Sequence, residues 1–233
     1  MLSAIAIVPS APVMVPELAS SAAAELADLR AAVLAAAATL PPRWIAIGVG
    51  PADDIIGQER AGTFAGYGVD LRVALSPGAW AHGRRPSDDA GELPLCALVT
   101  GWLRGQADAQ ARAEVRMYSH DVGDDVALTH GRRLRTEVDE VGEPIGVLVV
   151  ADGFHTLTPP APGGYDPGSV PMQADLDVAL ATGDTSALEH LPRAVVGRVA
   201  YQVLAGLGRP RSASELYRGA PYGVGYFAGV WHP

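Results

Sequence analysis

The sequence contains no lysine and no asparagine. Its 17 strongly basic residues are therefore all arginine. The absence of lysine excludes Schiff-base chemistry at a lysine side chain and the lysine-containing phosphate loop. Cysteine occurs once, as Cys96, which excludes an internal disulfide and any zinc or iron–sulfur site held by several cysteines. Because Cys96 lies in the apolar run 93–99, we predict that it is a small buried side chain.

Charge is scarce and mostly negative. Charged residues make up 18% of the chain and the formal net charge is −9, which leaves no basic surface for nucleic acid or for an anionic membrane. Hydrophobic residues reach 48%, enough for a sizeable core. The composition therefore indicates a folded protein whose partner is a small molecule or another protein.

The first residues are apolar but do not resemble a signal peptide. No basic residue precedes the apolar stretch, and Pro9, Pro12 and Pro16 interrupt it. No apolar run elsewhere is long enough to span a bilayer. We expect a cytoplasmic protein without a membrane partner.

Apolar runs alternate with helical patterns along the chain. Strands are predicted at residues 2–8, 44–49, 69–75, 113–119, 145–151, 214–217 and 223–230. Helices are predicted at residues 17–40, 93–104, 124–138 and 172–207, the last broken at Gly183-Asp184 and at Pro192. The polar stretch 79–91 is predicted to be a mobile surface loop. Together they predict an α/β fold, a single three-layer α/β/α domain over residues 1–233 with a largely buried mixed sheet.

Three loops that follow predicted strands are the candidate site, because ligands of open α/β sheets bind at the carboxyl ends of strands. They span residues 9–16, 48–54 and 151–166. The last carries His155, which is placed for proton transfer, although a loop histidine also commonly hydrogen-bonds backbone. Ser10 is a candidate partner of His155, and Asp152 is a weaker candidate for orienting the imidazole.

Several segments resemble the B subunit of class III extradiol ring-cleavage dioxygenases (LigB-like family). VVADGFHTLTPPAPGGYDP at residues 149–167 resembles the stretch around that family's active-site histidine. IVPSAPVMVPEL at residues 7–18 and IAIGVGPADD at residues 45–54 resemble its first two strand ends. ATGDTSALEHL at residues 181–191 and SELYRGAPYGVGYFAGV at residues 214–230 match in character and order, so the resemblance covers most of the chain.

The resemblance implies a ferrous site whose ligands are replaced in this chain. The family holds iron with two histidines and a glutamate, and these positions correspond here to Ser10, to Val49 and to the segment 195–197. Valine cannot donate to a metal, and a serine hydroxyl replaces imidazole poorly. His155 matches the family's acid–base histidine. The resemblance thus implies no bound cofactor and a residual pocket lined by Ser10, Pro12, Val49, Gly50, His155 and Tyr165.

A divalent metal, Fe(II) included, has one alternative place. His120, Asp121 and Asp124 form the tightest cluster of histidine and acidic residues, with His130 further along the predicted helix. In the competing interpretation, Asp121 or Asp124 is the N-cap of that helix, and the acidic residues after it interact favourably with the helix dipole.

Three functional hypotheses follow. The first is an iron-free, diverged member of the dioxygenase-like family that binds a small molecule or a partner in the residual pocket. The second is an enzyme, either an oxidoreductase with a relocated metal or a metal-free enzyme that uses His155 as general acid or base. The third is a subunit of an assembly such as a homodimer, with Trp80, Trp102 or Trp231 at an interface, although each Trp is better explained as core.

Overall fold

A computed structural model describes residues 1–19, 24–79 and 92–233. Its strands are β1 (Leu2–Val8), β2 (Arg43–Gly50), β3 (Asp54–Ile56), β4 (Ala61–Thr63), β5 (Arg72–Ala74), β6 (Arg112–Ser119), β7 (Ile145–Val150), β8 (Ser212–Gly219) and β9 (Tyr226–His232). Its α-helices are α1 (Pro16–Ala19), α2 (Ala27–Ala37), α3 (Leu95–Ala107), α4 (Asp124–Glu140), α5 (Ser169–Thr182), α6 (Thr185–Leu188) and α7 (Arg198–Gly206). Short 3-10 helices occupy Pro12–Met14 and Phe64–Tyr67.

Seven strands form one mixed sheet in the order β3-β6-β2-β7-β1-β9-β8. The four strands β6, β2, β7 and β1 are parallel, and β3, β9 and β8 pair antiparallel at the two edges. β7 is central and every residue in it is buried, which explains its continuous aliphatic sequence. β4 and β5 form a separate two-stranded sheet.

Both faces of the large sheet are covered, so the predicted three-layer α/β/α architecture is confirmed. Alternate residues of β7 point to opposite cores: Leu148 and Val150 pack with α2 and α3, whereas Val147 and Val149 pack with α4, α5 and α7. β1 divides in the same way, with Ile5 and Ile7 on the α7 side. The two cores lie back to back across a single sheet.

Some element boundaries differ from the sequence prediction. The helix predicted at 17–40 is two helices, α1 and α2, and residues 20–23 lie outside the described part. α5 begins at Ser169, earlier than predicted, because Pro171 is tolerated in the first turn of a helix. In the predicted helical region 172–207, the breaks predicted at Gly183-Asp184 and Pro192 are confirmed. The second break extends to residue 197, because Val195 pairs with the loop after β7, and α7 begins at Arg198.

The tryptophans and the cysteine are core residues in the described part. Trp102 and Trp231 are 5% and 0% exposed, so the alternative that they form an interface is wrong, and Trp80 lies outside the described residues. Cys96 is buried as predicted, and burial raises the pKa of its thiol to about 11. The predicted loop 79–91, with His82, falls almost wholly outside the described residues. Among the helices that are described, none combines the length and apolarity needed to cross a bilayer.

Candidate functional site

The sheet order brings the three candidate loops to one edge. β7 lies between β1 and β2 and is parallel to both, with Val8 opposite Val150 and Ile47 opposite Val149. Their carboxyl ends therefore meet at the same edge of the sheet. The prediction that the loops after these strands share one edge is confirmed.

A pocket of 270 Å³ lies at this edge and contains both Val49 and His155. Its wall is formed by Val49, His120, Asp121, His155, Arg193, Ala194, Val195, Val196, Arg198 and Val199. Aliphatic side chains make up half of that wall, and the other half consists of two arginines, two histidines and one aspartate. The pocket suits a small molecule with an apolar body and an acceptor or anionic group.

His155 is half-buried in the pocket wall. Its ring Nδ1 is buried and has no hydrogen-bond partner among the described residues. The loop closes behind it, because the amide of Gly163 donates to the carbonyl of His155 over 3.0 Å. A Cβ atom at Gly163 would come within 2.5 Å of the imidazole Nε2, so only glycine leaves this room for the ring. A buried imidazole nitrogen without a partner is an unsatisfied polar atom, of the kind that often marks a functional position.

Asp152 connects the loop after β7 to the loop after β1. Its carboxylate accepts a hydrogen bond of 2.8 Å from the backbone N–H of Ser10. Burial raises the pKa of Asp152 to about 7, against the lowering effect of that single bond. Ser10 is thus held through its backbone beside Asp152, and neither residue lines the pocket. We conclude that Asp152 fixes the two loops against each other.

The segment 195–197, where the resemblance would place a glutamate ligand, also lies at this edge. Val195 pairs with Phe154 in an antiparallel bridge, and the amide of Gly197 donates to the carbonyl of Asp152 over 2.8 Å. A Cβ atom at Gly197 would come within 2.5 Å of the Cβ of Ala151 and 2.8 Å of the carbonyl oxygen of Asp152. No side chain, glutamate included, fits at residue 197 without displacing this backbone.

Arg198 organises the wall on the α4 side. Its guanidinium is buried and donates to the carbonyl oxygens of His120 and Val122, at 3.1 and 2.7 Å, and to the carboxylate of Asp124 at 2.9 Å. Gln202 donates to the same carboxylate over 2.7 Å. Hydrogen bonds from Gln202 and His190, with the charge of Arg198, keep the pKa of Asp124 below its ordinary value. The loop that carries His120 is therefore pinned to α7.

The donor set at the replaced positions does not fit a ferrous ion. Val49 and Val195 are apolar, and Ser10 presents its backbone to Asp152. The alternative cluster is also unsuited, because Asp124 is already bound by a guanidinium that repels a cation. Within the described ranges, no group of three or more histidine, cysteine or acidic side chains is arranged to hold a metal. His120 instead contacts the carbonyl of Gly50 through Nδ1 at 3.0 Å, and its Nε2 lies 3.5 Å from Asp121.

The remaining predicted residues lie near the pocket or outside it. Gly50 contacts His120 through its carbonyl but is not in the pocket wall. Pro12 begins the first 3-10 helix, and Tyr165 is 52% exposed; neither lines the pocket. The predicted N-cap is wrong: Gly123 is the N-cap of α4, and Asp124 and Asp125 lie in its first turn. His130 stacks on Tyr118 with ring centroids 4.7 Å apart, away from the pocket.

Sequence reasoning missed Arg198, Gln202 and Arg193. A weak indication of Arg198 was present, because a lone arginine within the apolar stretch 194–205 requires a buried acceptor. Arg193 carries no such indication.

Comparison with solved structures shows a likeness in fold. No known family profile matches the chain, and no curated protein matches it in sequence. The structure resembles the crystal structure of an uncharacterized protein, JW3007, from Escherichia coli K12, with a TM-score of 0.56 over 98% of this chain and 99% of that one. The two sequences are 11% identical, so the likeness concerns the fold alone.

Proposed function

We propose that this protein binds a small anionic molecule in the pocket of Val49 and His155, and that it is an iron-free relative of class III extradiol dioxygenases. The observation that carries the proposal is that Val49 and His155 line the same pocket. Valine stands there where the resemblance requires a metal ligand, next to an imidazole and the guanidinium of Arg193. A pocket of 270 Å³ is just below the usual range for drug-sized ligands, about 300–1,000 Å³, so the ligand is small.

The wall defines what the ligand must offer. Val49, Val196 and Val199 contribute apolar surface, which favours an aliphatic or flat apolar body. Arg193 is exposed at the rim and can pair with a carboxylate. His155 can donate to or accept from a polar group inside the pocket. A monocarboxylate with a short apolar body meets all three requirements.

Titration with butyrate and n-butanol, followed by NMR shifts of the Val49 methyl groups, tests the proposal. We expect butyrate to bind more tightly than butanol. Arg193→Gln should weaken the binding of butyrate by up to about fivefold, the usual limit for an exposed charge pair. Arg209→Gln, which removes an exposed charge outside the pocket, is the matched control and should leave binding unchanged. Butyrate that binds without shifting Val49 would contradict the proposal.

Metal analysis tests the iron-free part separately. After incubation with Fe(II) under nitrogen and desalting, we expect iron well below one equivalent per chain. Stoichiometric iron would overturn this part, whatever the result with butyrate.

A metal-free enzyme is a second candidate, favoured by the place of His155 in the pocket wall and by its Nδ1, which has no hydrogen-bond partner in the described part of the chain. In such an enzyme His155 acts as a general base and removes a proton from the carbon atom next to a carbonyl group. Exchange of the methyl protons of pyruvate for solvent deuterium measures this step by NMR. Exchange that His155→Gln abolishes, and His232→Gln leaves intact, would establish the enzyme; a rate equal to that of free imidazole would eliminate it.

A cytoplasmic location belongs to the same proposal. It is supported by the net charge of −9, because an acidic surface fits a cytosolic protein that handles small molecules. Detection of the tagged full chain in a fractionated cell lysate tests the location.

A further inference from the structure

A second cavity, of 300 Å³, lies between α5, the end of β8 and the loop after β7. Its wall consists of Leu157, Thr158, Val170, Gln173, Ala174, Asp177, Arg218, Gly219 and Ala220. The α5 members recur at the helical spacing that places side chains on one face, so the helix presents a continuous surface to the cavity. None of these residues belongs to the wall of the pocket that contains His155.

One carboxylate in this wall lacks a full counter-charge. Asp177 is half-buried and accepts a hydrogen bond of 2.8 Å from the side-chain amide of Gln173. Arg218 also lines the cavity, but its guanidinium is paired with Glu215 through two contacts of 2.8 Å from Nε. Arg218 and Glu215 nearly neutralise each other, so the local charge that remains is the negative charge of Asp177. Burial raises the pKa of Asp177 to about 6, against the lowering effects of the hydrogen bond from Gln173 and of the charge of Arg218.

We propose that this cavity is a binding site for a small organic ammonium ion with a short apolar body. The ammonium group would pair with Asp177, and the carbon chain would lie against Leu157, Val170 and Ala174. Within the described residues, the carboxylate of Asp177 accepts a side-chain hydrogen bond from the amide of Gln173. Pairing with a cation would therefore offset the free-energy cost of removing this carboxylate from water.

The cavity is also joined to the loop of His155. Gln173, which donates to Asp177, accepts a hydrogen bond of 2.8 Å from the backbone N–H of Phe154 through its other amide atom. Gln173 is buried, so this bridge is shielded from water. A ligand at Asp177 therefore contacts a side chain that directly holds the residue before His155.

NMR titration of the full chain at about pH 8 with n-butylammonium and n-butanol tests the site. The side-chain amide of Gln173 is a convenient reporter, because the chain contains no asparagine and its carboxamide signals come from glutamine alone. We expect butylammonium to shift this signal and to bind about tenfold more tightly than butanol, as for a hydrogen bond to a charged group. Equal affinity for the two compounds would overturn the proposal.

Asp177→Asn keeps an oxygen that can accept from Gln173 and removes only the charge. We expect its affinity for butylammonium to fall to that for butanol. Asp175→Asn removes the same charge from an exposed position on α5 and should change affinity by less than about twofold, because an exposed charge is screened. Retained preference for butylammonium in Asp177→Asn, in a variant whose unfolding midpoint matches the wild type, would also overturn the proposal. Shifts at Gln173 and at Val49 distinguish this site from the pocket of the proposed function.

Discussion

Replacement of Asp152 by asparagine should make the protein more stable at neutral and alkaline pH. The carboxyl of Asp152 is buried and accepts one backbone hydrogen bond, from Ser10. Asparagine keeps an oxygen for this bond and cannot ionise. The substitution therefore removes the cost of a buried charge without removing the contact between the two loops.

The sign and size of the effect follow from the pKa of this carboxyl. Below about pH 3 it is protonated in both folded and unfolded chains. As the pH rises, the unfolded chain ionises near the ordinary value of 3.8 and the folded chain only near 7, so the folded state loses stability across this window. One pKa unit is worth about 1.4 kcal/mol, and the difference between 3.8 and about 7 corresponds to about 4 kcal/mol at most.

Urea unfolding of the wild type and Asp152→Asn from about pH 3 to about pH 8 measures this difference. The variant should match the wild type at the acid end and gain stability relative to it up to neutral pH, with the difference constant above that. Contributions from other titrating groups cancel in the comparison. Asp175→Asn controls for the change in net charge. A difference that stays flat over the whole range would refute the assignment of a buried, poorly solvated carboxyl.

Two further substitutions test the packing of the site. Arg198→Met should destabilise the fold by about 3–5 kcal/mol in urea unfolding, because Asp124 and two carbonyls of the His120 loop lose a buried partner; unchanged stability would contradict the role of Arg198 as the anchor of that loop. Gly197→Ala should cost about 1–3 kcal/mol, because its new methyl group meets backbone. Gly142→Ala, where nothing lies within 4 Å of an added Cβ, is the control and should change stability by less than about 0.5 kcal/mol.

The layered fold could be predicted from the sequence because its strongest patterns are long. β7 is a continuous aliphatic run and α4 is amphipathic, and both lie close to their predicted bounds. β3 and β4 were missed because three residues are too few to show a period of two. Pro192 predicts a break in the last helical region, but the length of the break depends on the pairing of Val195 with Phe154, a contact that no local pattern contains.

The candidate site could be predicted only in outline. The alternation of strands and helices was sufficient to bring Val49 and His155 to one edge. The contact of Asp152 with Ser10 could not be predicted, because Ser10 approaches from the loop after β1, which is far from Asp152 in the sequence. The role of Arg198 depends similarly on the distant carbonyls of His120 and Val122.

The position of β1 inside the sheet has a consequence for synthesis. β1 is made long before both of its neighbours, β7 and β9, because most of the other strands and helices lie between them in the sequence. Until β7 and β9 are made, the backbone N–H and C=O groups on both sides of this apolar strand have no neighbouring strand to pair with. Such distant pairing slows folding and favours wrong association between chains. Refolding from urea at rising protein concentration should therefore lose yield to aggregates.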